Sequence, residues 1–444
     1  MKDKKWKIMY AVLLAIWLTV IFSTIYYWYT GNEILIDTDV NLYYVTLPPL
    51  VIIVLYIAVT CFILVTYLIM DKKVRSIQEK ACEDFKDAII KKNVLCSIII
   101  AAHNEDTVIK RTVTELLKQT YQNIEIVVVC HNCSDNTFAE ASVEDPRVRA
   151  LDYRTKDSGK GIALNFGVSK SKGDYILVLD ADGILSHDFV EKGLPLLEKY
   201  AAVQGRYVPS NRNYSFVTRL LSIEGDLWST PYMTTRTALD KRGGLGGTGY
   251  ILKKEILQEV GGFKNHLVDD YELTSRLLKK GYRIVFAPYC INYDEKPPTV
   301  EILLKQRARW AKGFIDLLKH QACEPTDILG IIFWLSPLVI LAALGLFLTI
   351  GFGMIFNLIF GYFPFNYAAI TINQWLLLTA FIWILQITVL IKEYGWKGLK
   401  YALFVPIYNS FVLYVFVVFV RAFTIKSWGA TKTTHGFTTK SGNI

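Results

Sequence analysis

The most constraining stretch of this chain is residues 173–183, Gly-Asp-Tyr-Ile-Leu-Val-Leu-Asp-Ala-Asp-Gly. Tyr175 to Leu179 is an unbroken apolar, β-rich run, bounded by Gly173 and by acidic residues. A strand covered on both sheet faces reads this way, so the run predicts a buried strand. Asp180 and Asp182 stand at its carboxyl end, where open α/β sheets bind ligands. Alternate residues of an extended segment share a face, so both carboxylates can address one hard cation that bridges phosphates. An Asp-Gly turn closing a strand is the plainer reading of the same residues. Other motifs decide between them.

The chain before this stretch alternates strand and helix patterns. Residues 71–92 are charged and helix-forming, a connector. Val94 to Ala101 predicts a strand, and Asn104 can cap a helix whose Ile109, Val113, Leu116 and Leu117 share a face. Ile124 to Val129 predicts a second strand. Asp135 opens a short helix, Val148 to Leu151 is a third strand, and Gly161 to Val168 a further helix. This order predicts the α/β class, a largely parallel sheet with helices on both faces. The loops 102–105, 130–135 and 156–161 then converge on the rim of Asp180 and Asp182. Lys160, glycine-flanked at a helix start, suits a phosphate, with charge from the side chain and donors from the backbone. A solvated loop lysine is an equal alternative. Asp135 reads as a helix cap rather than a ligand. The Cys130-His-Asn-Cys133 run is a single CxxC without two further ligands nearby, which reads as structural with reduced thiols.

Beyond the stretch, Ala201 to Val208 predicts a strand and Asn213 to Leu239 an amphipathic helix. Its Phe216, Leu220, Leu221, Ile223, Leu227 and Trp228 suit a membrane surface or a core equally. Gly244, Gly246 and Gly249 have dinucleotide-fingerprint spacing, but the polar run upstream of them is no strand. The glycines instead predict tight turns or backbone passing close to a ligand. Asp269-Asp-Tyr-Glu272 heads a helix ended by Gly281, where acidic residues are ordinary. Asp270 has a second reading as a general base. After a strand from Tyr282 to Ala287, Pro297 and Pro298 open a helix carrying Gln306-Arg-Ala-Arg-Trp310. Arg309 offers a cation for a leaving phosphate and Trp310 a surface for a sugar ring. A juxtamembrane basic and aromatic belt is the alternative.

Hydropathy sets the outer architecture. At 52% hydrophobic and 20% charged over 444 residues, the chain is too apolar for an ordinary soluble protein. Ile8 to Tyr29 and Val45 to Met70 each exceed the roughly 20 apolar residues of a membrane helix. The first run is too long for a signal peptide and lacks a cleavage site, so it reads as a retained anchor. Lysines precede the first run and follow the second, and only Glu33, Asp37 and Asp39 are charged between them. That pattern puts the N-terminus and the segment after Met70 in the cytoplasm. Ile328 to Phe360, Trp375 to Ile391 and Tyr401 to Val420 predict further spans. The net charge of +9 suits anionic lipid and an anionic substrate, and no dense basic run points to nucleic acid.

Taken in order, these motifs resemble the membrane-embedded, inverting glycosyltransferases of family 2, the cellulose, chitin, hyaluronan and poly-N-acetylglucosamine synthases. The resemblance covers residues 94–320, the flanking apolar runs and the tail. It implies a GT-A-like, mostly parallel sheet domain inserted between transmembrane helices, in a multi-pass protein of the plasma membrane with its catalytic domain cytoplasmic. It implies processive extension of a β-linked polysaccharide from a nucleotide sugar, a UDP-sugar by the family's habit, and export of the polymer through the bilayer. A single transfer to a lipid-linked acceptor is the rival. Asp180-Ala-Asp182 is similar to the family's DxD, so Asp182 and Asp180 would hold Mg2+ or Mn2+ on the diphosphate. Asp270 would be the catalytic base, Arg309 would steady the diphosphate, and Trp310 and Gln306 would serve the acceptor. Asn104 and Glu105 match the first motif and, with His131, Lys160 and Asp180, would bind the nucleotide sugar. Trp428, Thr431 and His435 are similar to a tail motif that folds back towards the diphosphate.

Two departures stand out. The family's Asp-Asp-Gly after the second strand is Cys130-His131-Asn132 here, so a contact to the base falls to His131 or Asn132. Val268 replaces a threonine ahead of Asp269. The expected domains are two N-terminal spans (1–70), a cytoplasmic transferase domain (71–325), a C-terminal membrane region (326–425) and a cytoplasmic tail (426–444). Lys392, Lys397 and Lys400 also ask for a cytoplasmic loop, so a kinked or re-entrant element at Pro406 or near Gly351 is needed to reconcile the count.

Overall fold

The structure, a computed structural model, describes residues 40–240, 242–319, 359–361, 372–411, 418 and 421–422. The chain divides into two compact units, Met1–Val65 with Ile332–Phe416 and Thr66–Ile331 with Val417–Ile444.

The second unit is built on a sheet. After α1 (Val40–Lys92) come β1 (Cys96–Ala102), α2 (Ile109–Leu116), β2 (Ile124–His131), α3 (Thr137–Ala141), β3 (Val148–Tyr153), α4 (Lys160–Lys170) and β4 (Tyr175–Asp180). Next are β5 (Ile184–Leu185), α5 (Phe189–Gly193), β6 (Ala202–Pro209), α6 (Phe216–Glu224), α7 (Thr230–Asp240), β7 (Tyr250–Lys253) and α8 (Lys254–Glu259). The unit continues with α9 (Asp269–Lys279), β8 (Ile284–Asp294) and α10 (Val300–Lys319). The strand order is β3-β2-β1-β4-β7-β6-β8-β5.

The first four strands of that order are parallel, and Ala101 stands opposite both Val129 and Asp180. The three central strands therefore end level, which puts their loops on one rim. The chain steps from β1 out to β3 and then returns to β4 on the other side of β1, so the reversal that opens a ligand crevice lies between β1 and β4.

The period of two in the strands decides what each face buries. Ile98, Ile100, Ile126, Val128, Leu177 and Leu179 pack with Val113 and Leu116 of α2 on one face. Ile99, Val127, Val129, Ile176 and Val178 pack with Leu164 of α4 and Leu273 and Leu277 of α9 on the other. Each such side chain contributes about 1.5–3 kcal/mol by leaving water. α4 lies very close to the sheet at Gly167, where a Cβ would stand 2.6 Å from Ile99 Cγ2.

Several expectations are corrected. The sheet is largely parallel, with β6–β8 parallel as well, but it is mixed. β4–β7, β6–β7 and β5–β8 run antiparallel, pairings not foreseen because β7 and the two-residue β5 are too short to leave a sequence pattern. Asn104 does not cap α2. Its backbone is left-handed (φ 59°) and the N-cap is Val108. The helix expected over 213–239 is interrupted by a π turn, Gly225–Ser229, where buried Asp226 pairs with Arg212 at 2.6 Å and Arg206 at 3.6 Å. Ser215 and Thr218 form a capping box at its start. Leu220, Leu221, Ile223 and Leu227 are buried while Phe216 and Leu239 are exposed, so core packing accounts for most of the apolar face.

In the first unit, the run 375–391 lies inside α11 (Ile372–Tyr394), and a 3-10 turn, Gly395–Tyr401, leads to α12 (Phe404–Phe411). Gln386 and Asn409 exchange two amide hydrogen bonds between these helices, of 3.1 and 3.0 Å. Pro406 falls in the first turn of α12, where its missing N–H would have no helical partner, so it is not the kink expected of it. Val45 to Met70 is helical throughout as part of α1, whose side chains are described from residue 58 with the exception of residues 90 and 91. Among the described residues no helix is long and apolar enough to cross a membrane. The expected span 8–29 and nearly all of 328–360 lie outside the described residues.

Candidate active site

The site is assembled by one glycine-rich loop. Lys160, the first residue of α4, donates from Nζ to Asp180 Oδ1 (2.6 Å) and to the Gly247 carbonyl (2.7 Å). The Asp180 amide donates to Thr248 Oγ1 at 2.8 Å, so the end of β4 is held from two sides. Gly247 has φ 68°, and a Cβ there would lie 3.5 Å from Asp270 Oδ2. Backbone thus passes directly against the acid of α9. Buried Gln204 pins the loop from beneath, accepting from the Gly246 amide (2.8 Å) and donating to the Thr248 carbonyl (3.1 Å). Tyr207 donates to that same carbonyl at 2.9 Å. The glycines lead into strand β7 rather than a helix, which agrees with the turn reading.

Asp269 and Asp270 occupy the first turn of α9, and Asp270 Oδ1 accepts from the Tyr271 amide at 2.8 Å. Arg309 reaches them from α10, donating from Nη1 to the Leu267 carbonyl at 3.1 Å. Asp269, Asp270 and Asp180 all attract its guanidinium. Its buried Nε has no hydrogen-bond partner among the described residues. Val268, the departure from threonine, packs against Gly313 of α10, where a Cβ would stand 2.9 Å from either Val268 methyl.

Burial is the main force on the two acids at this turn. It pushes Asp270 up to about 7, with the Asp269 charge adding to it and Lys160 and Arg309 opposing. Asp269 is raised for the same reason. Burial works against charge on Lys160 too, but Asp180, Asp269 and Asp270 outweigh it and hold the ammonium above its usual range. A neutral-range carboxyl beside two fixed cations can take a proton from a hydroxyl while the cations face a departing anion.

Asp182 is in different company. Burial first, then the charges of Asp180 and Glu295 and, further down, Asp294, raise it to about 7. Asp294 Oδ1 is buried with no hydrogen-bond partner among the described residues. Asp294 Oδ2 meets Lys296 Nζ at 2.7 Å, and the raised carboxyl of Asp182 beside these acids fits a hard dication such as Mg2+ or Mn2+. Among the described residues no group of three or more His, Cys, Asp or Glu could hold a metal by itself. An ion at Asp182 and Asp180 would therefore complete its shell from phosphate oxygens and water, as Mg2+ ordinarily does.

The remaining sequence candidates divide. Asn104 Oδ1 accepts from the Ser134 amide (2.8 Å) and the Glu105 amide donates to Thr137 Oγ1 (2.7 Å), so both tie the loop after β1 to the loop after β2. His131 is buried at the end of β2 with Nε2 2.8 Å from Thr155 Oγ1. Cys130 and Cys133 are free, buried thiols, and Cys133 donates to the Ala102 carbonyl at 3.4 Å, as the structural reading expects. Trp310 and Gln306 are half-buried on α10. One face of the indole is covered by Arg307, 4.4 Å from the ring centroid and paired with Glu224 at 2.6 Å, rather than by the adjacent Arg309. Trp428, Thr431 and His435 lie outside the described residues. Sequence reasoning missed Gln204, Tyr207, Thr248, Asp294 and Glu295. Only the Asp294-Glu295 pair had a signal, two acids closing a strand as Asp180 closes β4.

A family model described as Glycosyltransferase like family 2 matches residues 94–313. Those residues are a family 2 glycosyltransferase domain. The chain is 32% identical over 228 residues to the probable glycosyltransferase YdaM of Bacillus subtilis, covering 49% of this chain and 54% of that protein. It is 32% identical over 228 residues to a Beta-monoglucosyldiacylglycerol synthase of Trichormus variabilis, covering 49% and 48%. It is 28% identical over 235 residues to a Poly-beta-1,6-N-acetyl-D-glucosamine synthase of Staphylococcus aureus, covering 50% and 55%. The chain spans about half the length of these relatives. The glycosyltransferase domain contains the Gly247 loop, both acidic pairs, Lys160 and Arg309.

Proposed function

We propose that the protein is a membrane-embedded, inverting hexosyltransferase that moves a sugar from a nucleoside diphosphate to an acceptor hydroxyl. By this reading it elongates a β-linked polysaccharide processively at the plasma membrane, with its catalytic domain on the cytoplasmic side. The observation that carries the reading is the meeting of Lys160, Asp180, Asp270 and Arg309 around the Gly247 loop. Asp270 accepts the acceptor proton at its carboxylate, its elevated pKa matching it to an alcohol near neutral pH. Lys160 and Arg309 hold positive charge against the departing diphosphate before it forms, so no reorganisation is needed at the moment of transfer. Mg2+ or Mn2+, bound by Asp182 and Asp180, would neutralise charge on the same diphosphate. Attack opposite the leaving group turns an α-linked donor into a β-linked product. Gln306 and Trp310 would support the acceptor, and Trp428 and Thr431 would, by their likeness to the family's tail motif, contribute to nucleotide-sugar binding.

The second reading is a single transfer to a lipid acceptor. The likeness to a Beta-monoglucosyldiacylglycerol synthase, at 32% identity, favours it. Incubation of the protein in detergent with Mg2+ or Mn2+ and a panel of nucleotide sugars, with and without diacylglycerol, separates the two. A high-mass polymer without added lipid supports the processive form, and one sugar on extracted lipid supports the second. No nucleotide release from any donor removes both.

A further inference from the structure

The two arginines of Gln306-Arg-Ala-Arg-Trp310 go to different neighbours. Arg307 and Trp310 are three residues apart on α10 and so share a helix face, whereas Arg309 is turned about 100° away from the indole. Arg309 accordingly meets the acids of α9, and the Arg307 guanidinium lies over the indole, 4.4 Å from the ring centroid. A cation at that distance is attracted by the ring quadrupole. Arg307 is also held from outside its own helix. Its Nη2 donates to Glu224 Oε2 at 2.6 Å, and Glu224 is the last residue of α6, directly ahead of the π turn. That turn is itself rooted, since buried Asp226 meets Arg212 and Arg206. Single π turns inside helices recur at functional sites. The Glu224 and Arg307 side chains are each 24% exposed, and an ion pair of that exposure adds little to stability. Its consequence is one of geometry: the indole of Trp310 is fastened through Arg307 to a fixed point on another helix.

We propose that Arg307 and Glu224 are positioning residues for Trp310: they fix the plane of the indole and close one of its faces, so that an acceptor sugar stacks on the other. Trp310 is half-buried, so part of the ring stays open. A pyranose packs its C–H face on an aromatic plane, and the gain is larger when that plane is held still before the sugar arrives. On a loose ring the acceptor hydroxyl spends less time within reach of Asp270, and a misplacement of about 1 Å costs transfer heavily. Water needs no such platform, so the loss falls on transfer to the acceptor and spares hydrolysis of the donor. The inference rests on the reading of Trp310 as an acceptor contact given above.

The full chain in detergent, incubated with Mn2+ and with UDP-glucose, UDP-N-acetylglucosamine or GDP-mannose, tests it. The readout is nucleotide released divided by sugar incorporated into polymer or extracted lipid. Arg307→Met keeps the aliphatic stem without the planar cation, and should raise that ratio about tenfold while nucleotide release stays within about threefold of wild type. Glu224→Gln leaves Arg307 over the ring on a weaker tether and should raise it about threefold. Exchanging the two, Glu224→Arg with Arg307→Glu, keeps an ion pair between α6 and α10 but takes the guanidinium off the indole. The ratio should then stay as high as in Arg307→Met, a pattern that a purely structural pair does not produce. Should Arg307→Met fail to fold, Glu224→Gln and Arg307→Lys, which keeps the charge but not the plane, decide by the same rise of about threefold. An unchanged ratio, release that falls in step with incorporation, or a normal ratio in the exchanged pair overturns the proposal. Trp310→Ala separates it from the reading beneath. A raised ratio there beside a normal one in Arg307→Met sinks this proposal alone. An unchanged ratio in Trp310→Ala removes the acceptor role of Trp310 and this proposal with it, and no nucleotide release from any donor removes the transferase reading and both.

Discussion

Asp180 and Asp182 sit two residues apart and in opposite surroundings. Asp180 is held by Lys160 at 2.6 Å and faces Arg309 and the Gly247 loop. Asp182 faces acids, Glu295 and Asp294, with Arg111 3.8 Å from the Glu295 carboxylate. The topology explains the contrast. Lys160 starts α4 on the parallel side of the sheet, whereas the two-residue strand after Asp182 pairs with Asn292 and Tyr293, just before Asp294 and Glu295. One rim therefore has a side where Lys160 and Arg309 face the acids directly and an acid-rich side where Arg111 and Lys296 pair with Glu295 and Asp294 rather than with Asp182. By the proposed reading, the first side would hold the diphosphate and take up the proton, and the second would take the dication.

The strongest way to break this division is Asp270→Asn on the side of Lys160 and Arg309. Transfer should fall by roughly a thousandfold or more, as loss of a general base does, with donor affinity within about threefold of wild type. Turnover near the wild-type rate in that variant, measured as released nucleotide, would remove the base assignment. On the acid-rich side, Asp182→Asn should cost roughly a hundredfold and be partly rescued by excess Mn2+. A metal titration identical to wild type would place the ion elsewhere. The pH profile sharpens the same comparison. Asp270, raised to about 7, must be deprotonated to act, so kcat should climb with pH and level off above about 7. Below that point the slope should be about tenfold per unit. A flat profile between about pH 5.5 and 8 would mean that no group of this kind limits transfer.

The side of Lys160 and Arg309 was largely legible in the sequence, and the acid-rich side largely was not. Apolar runs such as Ile124–Val129 and Tyr175–Leu179 announce buried parallel strands, and strand ends that share a register put Lys160, Asp180 and the loop of His131 together by geometry alone. Asp270 and Arg309 stand out through their resemblance to family 2 motifs, though nothing in the pattern says that Gly247 backbone lies between Asp270 and Lys160. β5 and β7 have two and four residues, too few to carry a period, so the antiparallel pairings they make were invisible. With it went the pairing that brings Asp294 and Glu295 to Asp182. The Asn104 cap failed for a related reason. A polar residue after a strand looks like a helix start, but its side chain is used to fasten the loop after β2.

Glu295→Gln tests the least legible part with the smallest expected effect. The side chain is buried, 7% exposed, and the substitution keeps its shape and its capacity to meet Arg111 while removing one negative charge. Two consequences follow for Asp182. It becomes easier to ionise, since one of the charges raising it is gone, and the pocket attracts a dication less strongly. Outer groups around a metal ligand typically change metal affinity by 10–100-fold, and an acid that acts only through space belongs at the lower end. The Mn2+ concentration for half-maximal activity should therefore rise about tenfold, while kcat at saturating Mn2+ stays within about twofold of wild type. A fall in kcat that excess metal does not restore would mean that Glu295 touches the sugar or the acceptor. An unchanged midpoint would mean that the ion is held on the Lys160 side, and that the contrast between the two carboxylates has no part in catalysis.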